Sequence, residues 1–350
     1  MLERLRNAGV SAWAVSRPSL LAITISLTIS FVIVVAVSEQ PVVAFRTFLG
    51  GAFENVYSFG SMLSIATILI LSGLAATVGF RAGAFNAGGE GQIYVGALMA
   101  VVVAQAAPLP PPLAITAALM AGMVAGAIWI LVPALMRVYL GIAEIVTTLM
   151  ASYIAPLLTI YLLMNGGLRN PNAGVPETVR LVPELRLPRI LSPSSANWGL
   201  FIALALVVAY WIVLERTRLG MRMKLVGQQP SFAETMGIDN KRVLLVSFFA
   251  SGALAGLAGA IVSVGMDHRF IQSFSPGYGF LGITVALIGR LSPLGVILAA
   301  LLYGALVVGA GKMQTASDVP FALLFVLQGV LVFLMTGNLA AVGRRLFGGR

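Results

Sequence analysis

Apolar segments about as long as a bilayer is thick recur along the whole chain. A helix needs ~20 residues to cross the hydrocarbon core of a membrane. Composition agrees, because 59% of the residues are hydrophobic and 10% are charged, against about 25% charged residues in soluble proteins. The sequence therefore predicts an all-α fold, a polytopic membrane helix bundle of about ten transmembrane helices in one domain that covers residues 1–350. The predicted spans are 18–37, 60–79, 91–106, 113–135, 141–164, 198–214, 243–265, 277–289, 293–311 and 319–337.

The distribution of positive charge predicts the orientation of the chain. If the N-terminus is cytoplasmic, fifteen of the 22 Lys and Arg residues lie on the cytoplasmic side and seven lie on the other side. Because short cytoplasmic loops are enriched in Lys and Arg, both termini are predicted to face the cytoplasm. Residues 165–197 then form an external, proline-rich loop, and residues 215–242 form a cytoplasmic loop. This topology also accounts for the net charge of +10, so no nucleic-acid partner is expected.

The segment 80–92 places polar residues and four glycines between two long apolar runs. Non-helical backbone at membrane depth persists only where protein or a water-filled cavity satisfies its polar groups. A simple turn between spans needs neither Asn86, Glu90 and Gln92 together nor so many glycines. We therefore expect this segment to lie on a transport path, with an ordinary cytoplasmic loop as the alternative.

A polar stripe in the fifth predicted span points to the same function. Residues 144–152 place carboxylate and hydroxyl side chains at spacings of three and four, on one face of a helix. The alternative is that the hydroxyls only bond to their own helix or join neighbouring helices. The residues predicted to line the substrate path are Asn86, Glu90, Gln92, Glu144, Thr148, Ser152, Tyr278 and Gln328.

The cytoplasmic loop contains a short predicted helix between basic flanks. Pro230 suits a first helical position and Gly237 the residue just past the end. Phe232 and Met236 lie four residues apart, so they share a face, and Glu234 is available to a basic partner. We expect this helix to dock onto a partner protein, with a helix lying on anionic lipid as the alternative.

A weak internal repeat relates the two halves of the chain. Residues 72–75 resemble 251–255, and residues 89–92 resemble 277–280. Spans two and seven run in opposite directions, so spans 2–5 and 7–10 are predicted to form an inverted repeat, whose interface is the usual place for a substrate path. Two further segments, 122–126 and 252–256, begin and end with glycine and predict close crossings of spans.

The sequence contains few of the residue patterns that form an enzyme active site. It contains no P-loop, and the absence of cysteine excludes thiolate metal sites. The single histidine, His268, follows Asp267 and is interpreted as part of a solvated external turn. An ion-coupled secondary transporter would need ionisable residues deep in the bilayer, whereas Glu90 and Glu144 are predicted near the cytoplasmic edge. We expect no metal and no bound cofactor.

Several segments together resemble one family. They are residues 80–92, 144–150, 219–238, 251–259 and 279–287. They are similar to the membrane permeases of ATP-binding-cassette (ABC) importers for simple sugars and nucleosides, which are related to branched-chain amino acid permeases. Ala87 departs from the family, which commonly has isoleucine there, and this affects packing rather than chemistry.

The resemblance implies a transport subunit in the bacterial inner (cell) membrane rather than an enzyme. A second permease chain, identical or a sibling, would share a central path for a nucleoside or simple sugar. A cytoplasmic ABC ATPase would bind ATP and Mg, and an external substrate-binding lipoprotein would deliver the solute. Residues 227–237, with Pro230, Phe232, Glu234, Met236 and Gly237, match the family's coupling helix. The alternatives are a branched-chain amino acid permease and an ion-coupled secondary transporter.

Overall fold

The computed structural model describes residues 24–330 except 26, 321, 322, 324, 327 and 328. These residues are mainly helical, and the β-type pairing among them consists of three isolated bridges. Short 3₁₀ turns lie at Gly51–Phe53 and Pro183–Leu185, and a π-helical segment, Val262–Met266, continues α11. The helices are α1 (Leu27–Val37), α2 (Pro41–Gly50), α3 (Val56–Arg81), α4 (Gly89–Ala106), α5 (Pro111–Trp129), α6 (Leu131–Leu140), α7 (Glu144–Asn165), α8 (Gly199–Arg216), α9 (Arg218–Gln228), α10 (Pro230–Thr235), α11 (Asn240–Ile261), α12 (Tyr278–Ile288) and α13 (Pro293–Ala316).

Six helical segments among the described residues are long and apolar enough to cross a membrane. They correspond to the second, fourth, fifth, sixth, seventh and ninth predicted spans, which are α3, α5 with α6, α7, α8, α11 with its π-helical segment, and α13. The third predicted span is the 18-residue helix α4. The eighth is α12, whose 11 residues are too few to cross a bilayer alone. Parts of the first and tenth predicted spans lie outside the described residues.

The chain divides into two compact units, and the larger covers Asn55–Gly304. Its centre is formed by α3 and α11, which are buried along most of their length, whereas α5, α7 and α8 are largely exposed. Helix α11 packs against α3, α4 and α5, while α12 packs against α3 and α4. The exposed apolar helices are the surfaces that a bilayer or another membrane subunit would cover.

Glycines allow α4, α5 and α11 to cross with their backbones in contact, as residues 122–126 and 252–256 predict. A methyl group at Gly96 would overlap the carbonyl oxygen of Gly256, and one at Gly256 would overlap the carbonyl oxygen of Gly122. Gly126 and Gly252 are opposed in the same way. Small residues give this close approach where apolar side chains gain nothing over lipid.

The smaller unit comprises the described residues up to Glu54 and from Ala305 onward. Phe48 of α2 is buried, and Gly309 of α13 lies directly against its carbonyl group. Lys312 Nζ and Glu54 Oε2 form an ion pair at 3.0 Å. Asp318 accepts hydrogen bonds from the Ser38 hydroxyl and the Glu39 main chain.

Candidate functional site

The chain between α3 and α4 is non-helical, as the polar segment predicts. Residues 82–88 turn back under the end of α3, where the amides of Ala82 and Ala84 both donate to the carbonyl oxygen of Gly79. Gly83 has a φ of +76° and lies against the backbone of Gly227. A side chain at Gly83 would be strained in this left-handed region. Three further amides of the loop, those of Phe85, Ala87 and Gly88, donate to side chains.

Asn86 is the centre of this hydrogen-bonded loop. Its Nδ2 donates to Ser251 Oγ at 2.8 Å and to Gln92 Oε1 at 3.0 Å. Its Oδ1 accepts from Gln92 Nε2 at 3.1 Å and from the Gly88 amide at 2.8 Å. Asn86 and Gln92 are 3% and 0% exposed. The two amides therefore satisfy each other while joining the loop to α4 and α11.

The polar stripe of α7 faces the same loop. Thr148 Oγ1 accepts from the Ala87 amide at 3.1 Å, and Ser152 Oγ donates to the Ala87 carbonyl oxygen at 3.0 Å. Both side chains are buried. Thr148 also donates to its own helix at Glu144 O. The hydroxyls of this stripe thus hold Ala87, the residue that follows Asn86, at both its amide and its carbonyl group.

The two predicted carboxylates are each paired. Glu144 Oε2 forms an ion pair with Arg137 Nε at 2.9 Å, and Glu144 Oε1 accepts from the Phe85 amide at 3.4 Å. Glu90 Oε2 accepts from the Gly279 amide at 2.7 Å, in the first turn of α12. A carboxylate at a helix N-terminus is favoured by the helix dipole.

The first turns of α4 and α12 lie against each other, which brings together the two segments that the internal repeat compares. A methyl group at Gly279 would overlap the Glu90 amide. Tyr278, beside this contact, is half-buried. The ring of Tyr94 in α4 contacts that of Phe274, just before α12, at a tilt of 47° with 4.7 Å between the ring centroids. Gln328, the remaining predicted path residue, lies outside the described residues.

Three residues that bond to the predicted path residues are not themselves predicted from the sequence. From the sequence, Ser251 and Gly279 belong only to the internal repeat, and Arg137 counts only among the basic residues predicted on the cytoplasmic side. The sequence does contain two signals. Ser251 is a small hydroxyl residue within an apolar helix, and Arg137 lies seven residues before Glu144. Ser251 lies 165 residues from Asn86 along the chain, so only the folded structure identifies the pair.

The predicted docking helix is present as α10. It begins at Pro230, and Gly237 follows it with a φ of +73°. Ala233 is fully buried, whereas Phe232 and Met236 are 48% and 63% exposed. The apolar side chains therefore form an unpartnered face in this chain.

Charged residues flank α10 along the chain. Glu234 Oε1 accepts from Asn240 Nδ2 at 3.0 Å, which ties the helix to the start of α11. The preceding basic run, predicted only as a flank, forms helix α9, whose N-cap Thr217 accepts from the Gly220 amide. Exposed basic residues lie on both sides of α10, at Arg216, Arg218, Arg222, Lys241 and Arg242.

The interpretation of His268 as a solvated turn is wrong. His268 is 2% exposed, and its Nδ1 lies 3.1 Å from the Val264 carbonyl oxygen. The loop 165–197, predicted to be external, folds over it, because the Leu181 amide donates to His268 O at 2.7 Å. The loop itself is irregular, as its prolines predict.

Comparison with known proteins covers nearly the whole chain. Residues 58–336 match the family described as "Branched-chain amino acid transport system / permease component". The chain is 34% identical to the glucose ABC transporter permease protein TsgB13 of Haloferax volcanii, over 94% of this chain and 89% of that protein. It is 30% identical to the guanosine ABC transporter permease protein NupP of Bacillus subtilis, over 92% and 93%. It is 31% identical to the nucleoside ABC transporter permease protein NupB of Lactococcus lactis, over 90% and 89%.

Proposed function

The chain belongs to the family of permease components of branched-chain amino acid transport systems, and from this premise we propose that it forms the translocation path for a nucleoside or simple sugar in an ABC importer. The observation that carries the proposal is the similarity to sugar and nucleoside permeases over about nine-tenths of both chains. It is a multi-pass membrane protein and a transport component.

We propose ten spans with both termini in the cytoplasm of a bacterial cell. Spans 2–5 and 7–10 form the inverted repeat. The contact between the first turns of α4 and α12 supports this arrangement, because these are corresponding positions in the two halves. In inverted-repeat transporters the substrate site lies at the interface of the repeats, often at half-helix N-termini.

The path is proposed to pass the cluster around residues 82–88. Six of the eight predicted path residues belong to it, and the structure brings them within hydrogen-bonding distance of the loop or of α12. In a single chain these groups are mostly buried and bonded to one another. Movement of the loop during transport would free amide and hydroxyl groups that suit a neutral, hydroxyl-rich solute.

The energy for transport is proposed to come from partner subunits. An ABC ATPase binds ATP and Mg and grips α10, while an external lipoprotein delivers the solute. A second permease chain, identical or a sibling, completes the path. The exposed apolar face of α7, at Val146, Met150, Tyr153, Leu157 and Tyr161, is a surface available to that chain or to lipid.

A branched-chain amino acid permease is the second candidate, because the matched family carries that description. An ion-coupled transporter is less well supported. The carboxylates of Glu90 and Glu144 already have partners, in α12 and at Arg137, and an ion-coupled site more often has a carboxylate without such a partner.

The test is uptake into proteoliposomes containing the chain with the subunits that co-purify with it. Uridine, guanosine, ribose, glucose and leucine are offered separately, with ATP or a non-hydrolysable analogue. We expect nucleoside uptake that requires ATP hydrolysis, with the sugars next. Uptake of leucine alone would support the branched-chain reading, and uptake driven by an ion gradient without ATP would refute the importer.

A further inference from the structure

A cavity of about 850 Å³ opens between the first turns of α5 and α8 and the external-loop segment 183–189. One wall is apolar and includes Ile115, Leu119 and Ile202. The segment 183–189 contributes Arg186 and Arg189 to its rim. The cavity thus combines an apolar wall with a positively charged edge, and it shares no residue with the cluster around Asn86.

The arginines of the rim have N–H donors that can bind an anion. Arg186 donates through Nε and Nη2 to the Leu181 carbonyl oxygen, at 2.9 and 2.6 Å. These two bonds fix the guanidinium group and leave its Nη1 to donate to a ligand. Arg189 is exposed, and among the described residues its side chain has no hydrogen-bond or ion-pair partner. Glu184 is the one carboxylate among the lining residues. Burial lowers the pKa of His268, which also lines the cavity, and nearby arginines lower it further, so the imidazole adds no charge and the rim is net positive.

The residues around the cavity are of the kinds found at a membrane surface. Helices α5 and α8 are candidate spans with mostly exposed apolar faces, including Leu113, Val124 and Val208. Trp198, 54% exposed, stands just before α8 and lines the cavity. Tryptophan is enriched at the headgroup level of bilayers.

We propose that this cavity binds an anionic membrane phospholipid, with its phosphate against Arg186 and Arg189 and its acyl chains along Ile115, Leu119 and Ile202. Guanidinium groups bind phosphate through charge-assisted, often bidentate hydrogen bonds, and basic pockets between membrane helices bind anionic headgroups. A free phosphate would leave the apolar wall in contact with water, which is unfavourable in proportion to its area. The proposal does not depend on which solute the chain transports.

Native mass spectrometry of the full-length chain in detergent tests the proposal. The probes are phosphatidylglycerol, phosphatidylcholine with the same acyl chains, and inorganic phosphate. We expect saturable binding of phosphatidylglycerol with about fivefold or greater preference over phosphatidylcholine, and no retention of phosphate alone. Equal retention of the two lipids would overturn the proposal, as would phosphate binding as tightly as phosphatidylglycerol.

Two pairs of variants localise the binding. Arg189→Gln should reduce phosphatidylglycerol affinity about fivefold, while Arg169→Gln, the same change at an exposed position of the same loop, should not. Thr116→Trp fills the cavity and should abolish the preference, while Val124→Trp on the same helix should leave it intact. If the cavity variants change only the capture of an external substrate-binding protein and not lipid binding, the surface is a protein interface and the proposal is wrong.

Discussion

Asn86 is stabilised in a membrane protein by using all of its hydrogen-bonding capacity. Both hydrogens of Nδ2 and both lone pairs of Oδ1 have partners, on Ser251, Gln92 and Gly88. A buried amide without partners costs several kcal/mol, roughly 2–7 depending on the reference state. The arrangement therefore makes the loop a single, well-defined structure, and its opening must break several bonds together.

The first residue-scale prediction is that Asn86→Leu destabilises the chain. Leucine has similar size but leaves the Gly88 amide, the Gln92 amide and the Ser251 hydroxyl unsatisfied, at a cost of about 2–4 kcal/mol. Thermal unfolding in detergent measures the loss. Asn165→Leu is the matched control, because Asn165 is exposed and makes one local bond to Tyr161 O; an equal effect of both variants would show that Asn86 is not a structural centre.

At the scale of single elements, α10 shows how a six-residue helix is kept in place. Isolated helices this short are unstable in water. Here Pro230 fixes the first turn, Ala233 is buried, and Asn240 Nδ2 bonds to both Pro230 O and Glu234 Oε1. Since these contacts use one side of α10, the exposed side chains of Phe232 and Met236 remain available to a partner protein.

We expect Phe232→Asp with Met236→Asp to release the ATPase while the chain still inserts into the membrane. Both side chains are exposed, so the fold tolerates the charge, but an apolar groove on a partner would not. Co-purification of the ATPase and substrate-stimulated ATP hydrolysis are the measurements. Phe232→Leu with Met236→Leu keeps the apolar face and should retain both. A doubly charged variant that still holds a fully coupled ATPase would mean that α10 is not the joint.

The long helices could be predicted from sequence because a run of ~20 apolar residues has few other stable structures in a bilayer. Their ends are harder to predict. The fourth predicted span ends at residue 135, whereas α6 continues to Leu140 before Gly141 adopts a φ of +68°. Helix α9 is not predicted, although Leu219, Met223 and Val226 have helical spacing, because its many charged residues are also typical of a loop.

The candidate site could be predicted only in part. The identities of Asn86, Gln92, Thr148 and Ser152 follow from polarity inside apolar surroundings. Their mutual bonding does not, because it depends on how α4, α7 and α11 cross. Whether such groups line an open path or hold a closed loop is a property of the whole fold, and the path remains a proposal.

At the scale of the whole molecule, the loop 165–197 is hydrogen-bonded to a distant part of the chain. The Thr178 amide donates to Phe270 O at 2.9 Å, and the Gln272 amide donates to Pro176 O at 2.9 Å. Arg269 Nη1 and Glu177 Oε1 form an ion pair at 2.7 Å. The loop therefore unfolds together with the turn after α11, and any titrating group between them affects the stability of both.

Asp267 is such a group, and it makes the stability of this region depend on pH. Burial raises its pKa from 3.8 to about 6, while Arg269 and Arg180 act in the opposite direction. Because the folded chain holds this proton more tightly than the unfolded chain, Asp267 contributes stability below pH 4. That contribution is lost as the pH rises through 6.

We therefore expect Asp267→Asn to be more stable than the parent chain at pH 7, by on the order of 2 kcal/mol, and equally stable at pH 4. Unfolding in detergent at pH 4, 5, 6 and 7 measures the difference in stability between the variant and the parent chain. Because both contain His268, its titration cancels in this difference. Asp318→Asn is the control of opposite sign. Hydrogen bonds from Ser38 and Glu39 lower the pKa of Asp318, so that variant should lose stability at pH 7. A difference between Asp267→Asn and the parent that is constant from pH 4 to 7 would show that Asp267 is not protonated on folding.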